Sequence, residues 1–374
     1  MSELPPLPRR QRRGGASPES LTPLHATPAG WLLPPRPLRR GTRSSLPLSI
    51  SLSSYISFVA MLGFLNCEKC TCALSVVGAL TLAYFATAVL RWVHLNFLAG
   101  TPLHKYRKAG AWAVVTGASD GIGKEMAFEL AKKKFNVVLV ARNRDKLAAV
   151  AKEISDATQT ETRVIVIDFA KATAEDYRKA EAEIDKLEVG VLINNAGINY
   201  EYPEFYAESA LDMDMSMLKV NCEPQLAFTK FVVKGMVARK NGGAIVNLSS
   251  ISSLFPAPML STYAATKAFN RQFSTCLAWE LKKNRIDVLS VTPGFVCTNM
   301  SKIRRTSFGI VMPSPMVKQT LRKLGQTLET AGHWQHAFNV SLYALLPAAL
   351  VGSKSLEMAI ATKKRALRKN AAAN

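Results

Sequence analysis

Residues 112–292 alternate short, continuously apolar runs with longer stretches whose apolar residues recur at helical spacing. A continuously apolar run of strand length is typical of a parallel strand that is covered on both faces. The alternation therefore predicts an α/β fold, a doubly wound parallel sheet of Rossmann type, in a single domain over residues 110–330. Six buried strands are expected, over residues 113–116, 137–141, 163–168, 189–194, 244–249 and 287–292.

A glycine-rich loop lies between the first predicted strand and a helical segment. Glycine lets the backbone turn tightly and approach a pyrophosphate, and the following helix N-terminus offers N–H groups and the positive end of its dipole. In this context the loop predicts a dinucleotide site, and an ordinary glycine turn is the plain alternative. The loop residues expected to bind the cofactor are Gly117, Ser119, Asp120, Gly121, Ile122 and Gly123.

The residue that follows the second strand indicates which cofactor is bound. NAD-selective enzymes of this fold offer a carboxylate to the adenosine ribose at this point, whereas this sequence has Arg142. A guanidinium pairs with a 2′-phosphate that a carboxylate would repel. NADPH is therefore the expected cofactor, with Arg144 placed to share or replace the role of Arg142 and with Asp120 as a counter-signal. A solvated surface position for Arg142 is the alternative.

Two further strand ends are expected to border the cofactor. Asp168 ends the third predicted strand and is placed to hold the adenine edge. The fourth strand leads into Asn194-Asn195-Ala196-Gly197, whose small residues leave room for the ribose and the nicotinamide. Asn194, Ala196 and Gly197 are therefore predicted cofactor residues.

Four polar residues predict proton transfer at a carbonyl. Asn221 stands in a helical stretch, Ser250 ends the fifth strand, and Lys267 follows Tyr263 by four residues, so the last two share a helix face. A free Tyr has a pKa of about 10 and needs a neighbouring ammonium to react near neutral pH. We expect Tyr263 to exchange the proton, Lys267 to supply the charge and bind the ribose, and Ser250 to bind the substrate oxygen. Asn221 is expected to order a relay water, and a surface contact is the alternative for an isolated Tyr–Lys pair.

Two uncharged segments precede the predicted domain. Residues 70–90 are the firmer transmembrane span, and residues 46–67, which are diluted by five serines, are a second candidate span within an anchor over residues 46–95. Basic residues flank the pair, so the positive-inside rule predicts a hairpin with the catalytic domain facing the cytosol. An interfacial first segment gives the same orientation. Residues 331–374 join the apolar stretch 337–351 to a basic tail, and we expect this stretch to contact the membrane or else to pack as a buried helix.

The formal net charge of +21 does not indicate a nucleic-acid partner, because much of it lies in two tails. Residues 1–46 hold eight Arg and two Glu, and residues 354–374 hold six Lys or Arg and one Glu. Basic tails beside apolar segments suit an anionic lipid membrane. We predict that residues 1–45 are a disordered Pro/Arg-rich tail, with a mitochondrial transit peptide and a translation start at Met61 as alternatives. No metal site is expected, because Cys67, Cys70 and Cys72 lack further ligands nearby.

Residues 110–300 resemble the short-chain dehydrogenase/reductase family, because the motifs above follow that family's order and end in Pro293-Gly294. The resemblance implies that Pro293 and Gly294 also border the cofactor. Residues 190–206, 301–305 and 313–325 are further similar to the membrane-bound branch that reduces very-long-chain 3-oxoacyl-CoA.

That branch implies an endoplasmic reticulum enzyme that uses NADPH to reduce 3-oxoacyl-CoA to 3-hydroxyacyl-CoA, with fatty-acid elongation enzymes as partners. A homodimer is a further expectation. The same catalytic residues would serve a membrane-bound steroid or retinoid dehydrogenase, whereas their intactness disfavours a silent scaffold. Basic residues near the expected pocket favour a CoA ester, with a solvated face or lipid headgroups as the alternative. They are Lys302, Arg304, Arg305, Lys318, Arg322 and Lys323.

Overall fold

The structure is a computed structural model that describes residues 68–372. The predicted tail over residues 1–45, the second candidate span over residues 46–67 and Cys67 lie outside the described residues. The strands are β1 (Trp112–Thr116), β2 (Asn136–Ala141), β3 (Thr162–Val166), β4 (Val189–Asn194), β5 (Gly243–Leu248), β6 (Ile286–Val291), β7 (Phe295–Val296), β8 (Ile310–Val311) and β9 (Glu329–Thr330). The α-helices are α1 (Glu68–Val93), α2 (His104–Ala109), α3 (Gly121–Lys132), α4 (Arg144–Thr158), α5 (Ala174–Ile184), α6 (Leu211–Arg239), α7 (Ser261–Leu281), α8 (Pro313–Arg322), α9 (Trp334–Ala344) and α10 (Ala348–Ala371).

Seven strands form one parallel sheet in the order β3-β2-β1-β4-β5-β6-β9. The chain builds outward from β1 to β3, returns to the centre at β4 and then builds outward on the other side. The strand order therefore reverses between β1 and β4, where ligands of doubly wound folds bind at the carboxyl edge. The predicted doubly wound parallel sheet is confirmed.

Helices cover both faces of this sheet, and the central strands contribute alternate residues to each face. Val115 of β1 packs in a cluster with α3, α4 and α8, whereas Val114 packs in a second cluster with α5, α6 and α7. Both side chains are fully buried. Burial on two faces explains why the central strands are apolar at most positions.

β3 departs from the prediction of a strand buried on both faces. It lies at the sheet edge, and Val164 and Val166 are 38% and 41% exposed. The prediction is wrong here because β3 is an edge strand, and it is not buried on both faces as the central strands are. β3 also ends at Val166, so Asp168 lies in the following loop. Ser250 likewise lies two residues beyond β5 rather than at its end.

Three short strands were not among the six predicted. β9 extends the sheet beside β6, and β7 pairs with β8 in a separate two-stranded sheet. Each of these strands has two residues, which is too short to show a period of apolar residues.

Most of α1 lies within Thr71–Leu98, the one helical stretch among residues 68–372 that is long and apolar enough to cross a membrane. None of the most apolar part of this stretch is buried inside the protein. It overlaps the firmer predicted span over residues 70–90 and ends in a π-helical turn, His94–Leu98. The chain divides into two compact units between Ser75 and Val76. Every contact described below lies within the second unit.

The apolar stretch predicted over residues 337–351 is shared by two helices. α9 ends at Ala344, and Pro347 is the N-cap of α10. Residues 341–350 are all exposed, with Leu345 78% exposed. The alternative of a buried helix therefore does not hold for residues 341–350, and contact with a membrane stays a prediction.

Candidate functional site

The predicted site residues gather at the carboxyl edge of the sheet. The glycine loop follows β1, Gly197 follows β4, Ser250 follows β5 and Gly294 follows β6. Parallel strands end at one edge, so the loops that follow them meet there. Lys267 of α7 joins the same edge, because its Nζ donates to the carbonyl oxygen of Leu248 at 3.0 Å.

The glycine loop includes two positions, Gly117 and Gly123, where a side chain cannot fit. Gly117 has a φ of +65°, and a Cβ on it would lie 2.8 Å from Asn195 Nδ2. A Cβ on Gly123 would lie 2.2 Å from the carbonyl oxygen of Gly117. The first turn of α3 therefore packs directly against the loop backbone, and its N–H groups beyond that of Gly121 are available to a phosphate. This bare backbone fits the pyrophosphate of a dinucleotide.

Asp120 is the N-cap of α3. One carboxylate oxygen accepts from the Gly121 N–H at 2.7 Å, and the other accepts from Asn299 Nδ2. The sequence predicted a cofactor contact here and missed the link to Asn299. An Asp directly before a helix is a recognised capping signal, whereas nothing local indicates a partner 179 residues away.

Thr116 and Asn195 hydrogen-bond the end of β1 to the turn after β4 at the carboxyl edge of the sheet. Neither was among the predicted site residues. Thr116 Oγ1 accepts from the backbone N–H groups of Asn195 and Ala196 at 3.0 and 3.1 Å. Asn195 Nδ2 donates to the carbonyl oxygens of Thr116 and Gly117, both at 3.1 Å. These bonds join the end of β1 to the turn after β4. The signal was present in the paired Asn194-Asn195, but the sequence does not tell which Asn points to the loop.

The side chain of Asn194 points into the protein. It is 4% exposed, and its Nδ2 donates to Asn247 Oδ1 at 2.8 Å and to Thr229 Oγ1 at 3.0 Å. Asn247 in turn donates to Ser274 Oγ at 2.8 Å. Asn194 therefore links β4 to β5, α6 and α7, and its predicted cofactor contact is not made by its side chain.

The residues predicted to bind the adenosine half lie just beyond β2 and β3. Arg142 and Arg144 are exposed, on either side of Asn143, whose Oδ1 caps α4 by accepting from the Lys146 N–H at 2.8 Å. Asp168 is half-buried, and its Oδ1 accepts from the Ala170 N–H at 3.2 Å. Both arginines are free to approach a 2′-phosphate, whereas the Asp168 carboxylate also shapes its own loop.

Asn221, Lys267 and Gly197 lie together. Asn221 Oδ1 accepts from the Ile198 N–H at 2.7 Å, while its Nδ2 donates to the Ile198 carbonyl and to Thr266 Oγ1 at 3.1 and 3.0 Å. A Cβ on Gly197 would lie 3.3 Å from both Asn221 Oδ1 and Lys267 Nζ. The structure thus brings these three predicted residues together and adds Thr266 to them.

Ser250 and Tyr263 complete this group. Ser250 is the N-cap of the 3₁₀ turn Ile251–Ser253, and its hydroxyl lies close enough to Tyr263 to act against the rise in the pKa of that phenol. Lys267 Nζ lies 5.8 Å from the centroid of the Tyr263 ring. The four predicted catalytic side chains therefore converge on one point of the carboxyl edge.

The pKa values at this point are set mainly by burial. Burial raises the pKa of Tyr263, and the hydrogen bond with Ser250 opposes the rise. Burial lowers the pKa of Lys267 to about 8, which the nearby Cys222 opposes. Lys267 is not among the groups that shift the pKa of Tyr263 here, so the lowering of that pKa by its ammonium stays a prediction. Near neutral pH the tyrosine is protonated and the lysine charged, which suits donation of a proton to a carbonyl.

Pro293 and Gly294 hold the loop after β6 against the Ser250 turn. The Pro293 carbonyl accepts from the Ile251 N–H at 3.0 Å. A Cβ on Gly294 would lie 3.0 Å from Cδ2 of the buried His336. Pro293 therefore lies beside the turn that Ser250 caps, and the implied contact of Pro293 and Gly294 with the cofactor stays a prediction.

Two of the six basic residues expected to favour a CoA ester hydrogen-bond to the segment after α1. Arg322 donates to the carbonyl oxygens of Ala99 and Phe97, both at 3.2 Å. Lys323 is 2% exposed, and its Nζ donates to Asn96 Oδ1 at 2.8 Å. Both residues tie the segment after α1 to the end of α8, and the expectation is wrong for Lys323 because its side chain is buried. The exposed members of the set are Lys302, Arg304, Arg305, Lys318 and Arg322.

Other features bear on what the site binds. Lys302 Nζ pairs with Glu201 Oε1 at 2.9 Å, which leaves Arg304 and Arg305 as the more available cations of that loop. Among residues 68–372, no group of His, Cys, Asp and Glu is arranged to hold a metal ion.

Comparison with known proteins places this geometry among relatives. The family model described as short chain dehydrogenase matches residues 111–307. The chain is 40% identical over 278 residues to the very-long-chain 3-oxoacyl-CoA reductase of Bos taurus, covering 72% of this chain and 88% of the relative. It is 36% identical over 337 residues to the enzyme of the same name from Aspergillus fumigatus, covering 85% and 96%. The solved short-chain dehydrogenase from Sphingobium yanoikuyae in complex with NADPH has the same fold, with a TM-score of 0.53, 24% identity and coverage of 64% and 97%.

Proposed function

The chain belongs to the short chain dehydrogenase family, and from this premise we propose that it uses NADPH to reduce 3-oxoacyl-CoA to 3-hydroxyacyl-CoA in fatty-acid elongation. The relatives from Bos taurus and Aspergillus fumigatus carry the name of this activity. Their alignments extend over most of each chain. The substrate class comes from these relatives, and the reaction class is supported by the site.

One observation carries the reaction class: Ser250, Tyr263 and Lys267 converge beside Gly197 at the carboxyl edge. NADPH, when bound, supplies a hydride to the carbonyl carbon. Tyr263 donates its hydroxyl proton to the carbonyl oxygen, and Ser250 hydrogen-bonds with the same oxygen. Lys267 stabilises the phenolate that remains, because its ammonium is held nearby in a buried site.

Cofactor choice is assigned to the exposed arginines after β2. Arg142 would pair with the 2′-phosphate of NADPH, with Arg144 two residues further along the chain. The backbone of Gly117 and the N-terminus of α3 would hold the pyrophosphate. Asp168 lies beyond β3, the strand next to β2, where it holds the adenine edge.

We place the protein in the endoplasmic reticulum membrane, with α1 as its anchor and its catalytic domain facing the cytosol. Basic residues follow the span on the side of the domain, at Arg91, Lys105, Arg107 and Lys108. The positive-inside rule assigns that side to the cytosol. Enzymes that supply 3-oxoacyl-CoA and consume 3-hydroxyacyl-CoA in the elongation cycle are the partners that this location and reaction imply.

A second membrane contact is proposed at the C-terminal apolar surface, which consists of Phe338, Leu342, Leu345, Leu346 and Leu350. These side chains are between 39% and 78% exposed. Phe338 is joined to the end of the span by neighbouring rings, through Phe308, Trp334 and Phe97, with centroids 5.9 to 6.3 Å apart. Aromatic side chains are typical of the membrane–water interface.

A homodimer is supported by an apolar stripe on α6. Leu211, Met215, Leu218 and Leu226 are all more than 40% exposed, and their spacing keeps them near one helix face. A stripe of this kind is typical of a protein–protein interface.

The test is NADPH oxidation by the detergent-solubilised full chain, with a long-chain 3-oxoacyl-CoA and a 17-ketosteroid assayed side by side. We expect reduction of the thioester to exceed that of the ketosteroid by at least about tenfold in kcat/KM. Preference for the ketosteroid would favour the steroid dehydrogenase alternative. If NADPH is oxidised neither with the thioester nor with the ketosteroid, both assignments are overturned.

A further inference from the structure

A cavity of about 310 Å³ lies between the membrane anchor and the catalytic loop. Trp92 and Leu95, at the end of the apolar span, line one side of it, and Leu254 and Thr292 line another. A cavity of roughly 150 Å³ accommodates a benzene ring. This cavity is therefore large enough for a substantial segment of hydrocarbon.

Its inner wall is continuous with the catalytic group. Leu254 directly follows the turn Ile251–Ser253, which Ser250 caps. Thr292 directly precedes Pro293, whose carbonyl accepts from the Ile251 N–H at 3.0 Å. The backbone that positions Ser250 thus also forms the inner wall of the cavity.

α9 forms the third wall, with Ala337 and Val340. It is held against the segment after Ser250, since the rings of Tyr343 and Phe255 meet edge to face at 5.8 Å. The small side chain of Ala337 leaves the space beside it open.

The charged side chains that line the cavity are already paired. Lys323 Nζ donates to Asn96 Oδ1 and to the Gly332 carbonyl at 2.8 and 3.2 Å. Glu329 accepts two hydrogen bonds from Arg271 Nε, at 2.9 and 3.0 Å. Because these charges are satisfied, the remaining surface of the cavity is mostly apolar and suits a hydrocarbon chain.

We propose that this cavity receives the acyl chain of the thioester, which enters between the end of the membrane span and α9. The inference rests on the proposed function and extends it to the route of the substrate. A long acyl chain is poorly soluble, so a path from the bilayer to Ser250 that avoids water favours its binding. The 3-oxo group then reaches Tyr263 while the tail stays against Trp92 and Leu95.

The first test fills the cavity from α9. Ala337→Trp should lower kcat/KM for 3-oxooctadecanoyl-CoA at least about tenfold while leaving acetoacetyl-CoA, which has a single methyl group beyond its 3-oxo carbon, within about twofold. Ala344→Trp is the matched control, because Ala344 lies on the same helix two turns away and is exposed. It should leave both substrates within about twofold. Equal losses on both substrates, or no loss on either, with NADPH binding intact, would overturn the proposal.

The second test does not depend on turnover or on the variant folding. The wild-type full chain, in lipid nanodiscs, is irradiated with an acyl-CoA that carries a diazirine at the end of a long chain, and labelled peptides are mapped by mass spectrometry. We expect labels on residues 92–96 and 337–341. Labels confined to other segments would overturn the proposal. Labels on these segments without reduction of any 3-oxoacyl-CoA would keep the acyl-chain site and overturn the proposed function.

Discussion

The Tyr263 hydroxyl is the group whose removal tests the proposed proton transfer most directly. Tyr263→Phe should lower kcat for ketone reduction by about 10²- to 10⁴-fold, because general acid catalysis contributes about that factor. The dissociation constant for NADPH, measured by fluorescence titration, should change less than about twofold. Tyr177→Phe is the control, since its hydroxyl is buried on α5, makes no hydrogen bond and lies away from the site. Retained activity in Tyr263→Phe would contradict the assignment.

The charge of Lys267 predicts a pH dependence. Burial lowers its pKa to about 8, so its ammonium is present below that pH and is lost as the pH rises through it. We expect kcat/KM for NADPH, which reports the free enzyme, to fall above about pH 8. Cys222 does not interfere, because burial raises the pKa of its thiol to about 11.

Burial also lowers the pKa of Lys323 to about 8, so its contribution to the pH dependence must be distinguished from that of Lys267. Lys323→Met should keep the fall above about pH 8, because Lys323 bonds to Asn96 and Gly332 and not to the catalytic group. Loss of the fall in this variant would assign the pH dependence to Lys323 instead.

Arg142 tests cofactor selection. Arg142→Glu should weaken NADPH binding by at least about tenfold and narrow the difference between NADPH and NADH, since it replaces attraction at the 2′-phosphate with repulsion. Arg178→Glu, at an exposed position of α5, should leave the dissociation constants for NADPH and NADH unchanged. An unchanged NADPH constant in Arg142→Glu would assign the phosphate to another residue, of which Arg144 is the first to test.

At the scale of elements, the bond between α8 and the segment after α1 is open to a stability test. Lys323→Met leaves Asn96 Oδ1 and the Gly332 carbonyl without their donor, which typically costs about 1–3 kcal/mol per buried group. We expect a melting temperature several degrees lower in detergent. Lys318→Met, at an exposed position of α8, should stay within about 0.5 kcal/mol of the wild type. Equal stability of the two variants would contradict a structural role for Lys323.

The elements that the sequence predicted best are those whose packing is the same on both faces. β1 and β4 to β6 are apolar at most positions because helices cover them on two sides, and this pattern is visible in any local window. The exposure of β3 was missed because it depends on the order of the strands, which is set by contacts distant in sequence. β9 was missed because two residues carry no period.

In the candidate site, too, the features that depend on local sequence were predicted, and those that depend on contacts distant in sequence were not. Gly117, Gly123, Tyr263 and Lys267 were found because tight backbone turns and helical spacing are local properties. The partners of charged and amide side chains were not. Lys323 bonds to Asn96, which is 227 residues away in sequence, and no local pattern distinguishes it from a solvated lysine.

At the scale of the whole molecule, the segment that follows the membrane anchor packs against the catalytic domain close to Ser250. The segment that leaves α1 is tied to α8 by Arg322 and Lys323, and its last apolar residues line the cavity beside Ser250. The end of the anchor is therefore also part of the catalytic domain. A truncation that frees the domain from the membrane must keep residues 91–103 to preserve these bonds.

This arrangement predicts how the chain attaches to the membrane. A form lacking residues 1–67 keeps α1 and should resist extraction by alkaline carbonate as the full chain does. A form lacking residues 1–90 loses most of the span and should be released by carbonate, yet still sediment with membranes at neutral pH through the C-terminal apolar surface. Adding Phe338→Ser, Leu342→Ser and Leu345→Ser to that form should leave it in the neutral supernatant, because these substitutions remove three of the five exposed side chains of that surface.

The control is the same triple substitution in the full chain, which should remain carbonate-resistant because α1 still spans the bilayer. NADPH binding by each form, measured in the fraction where it is found, shows that the domain is folded. Release of the 1–67 deletion by carbonate would contradict the assignment of α1 as the anchor. Sedimentation of the 1–90 deletion with the three serines would show that the C-terminal apolar surface is not the second contact, since no other change separates the two truncated forms.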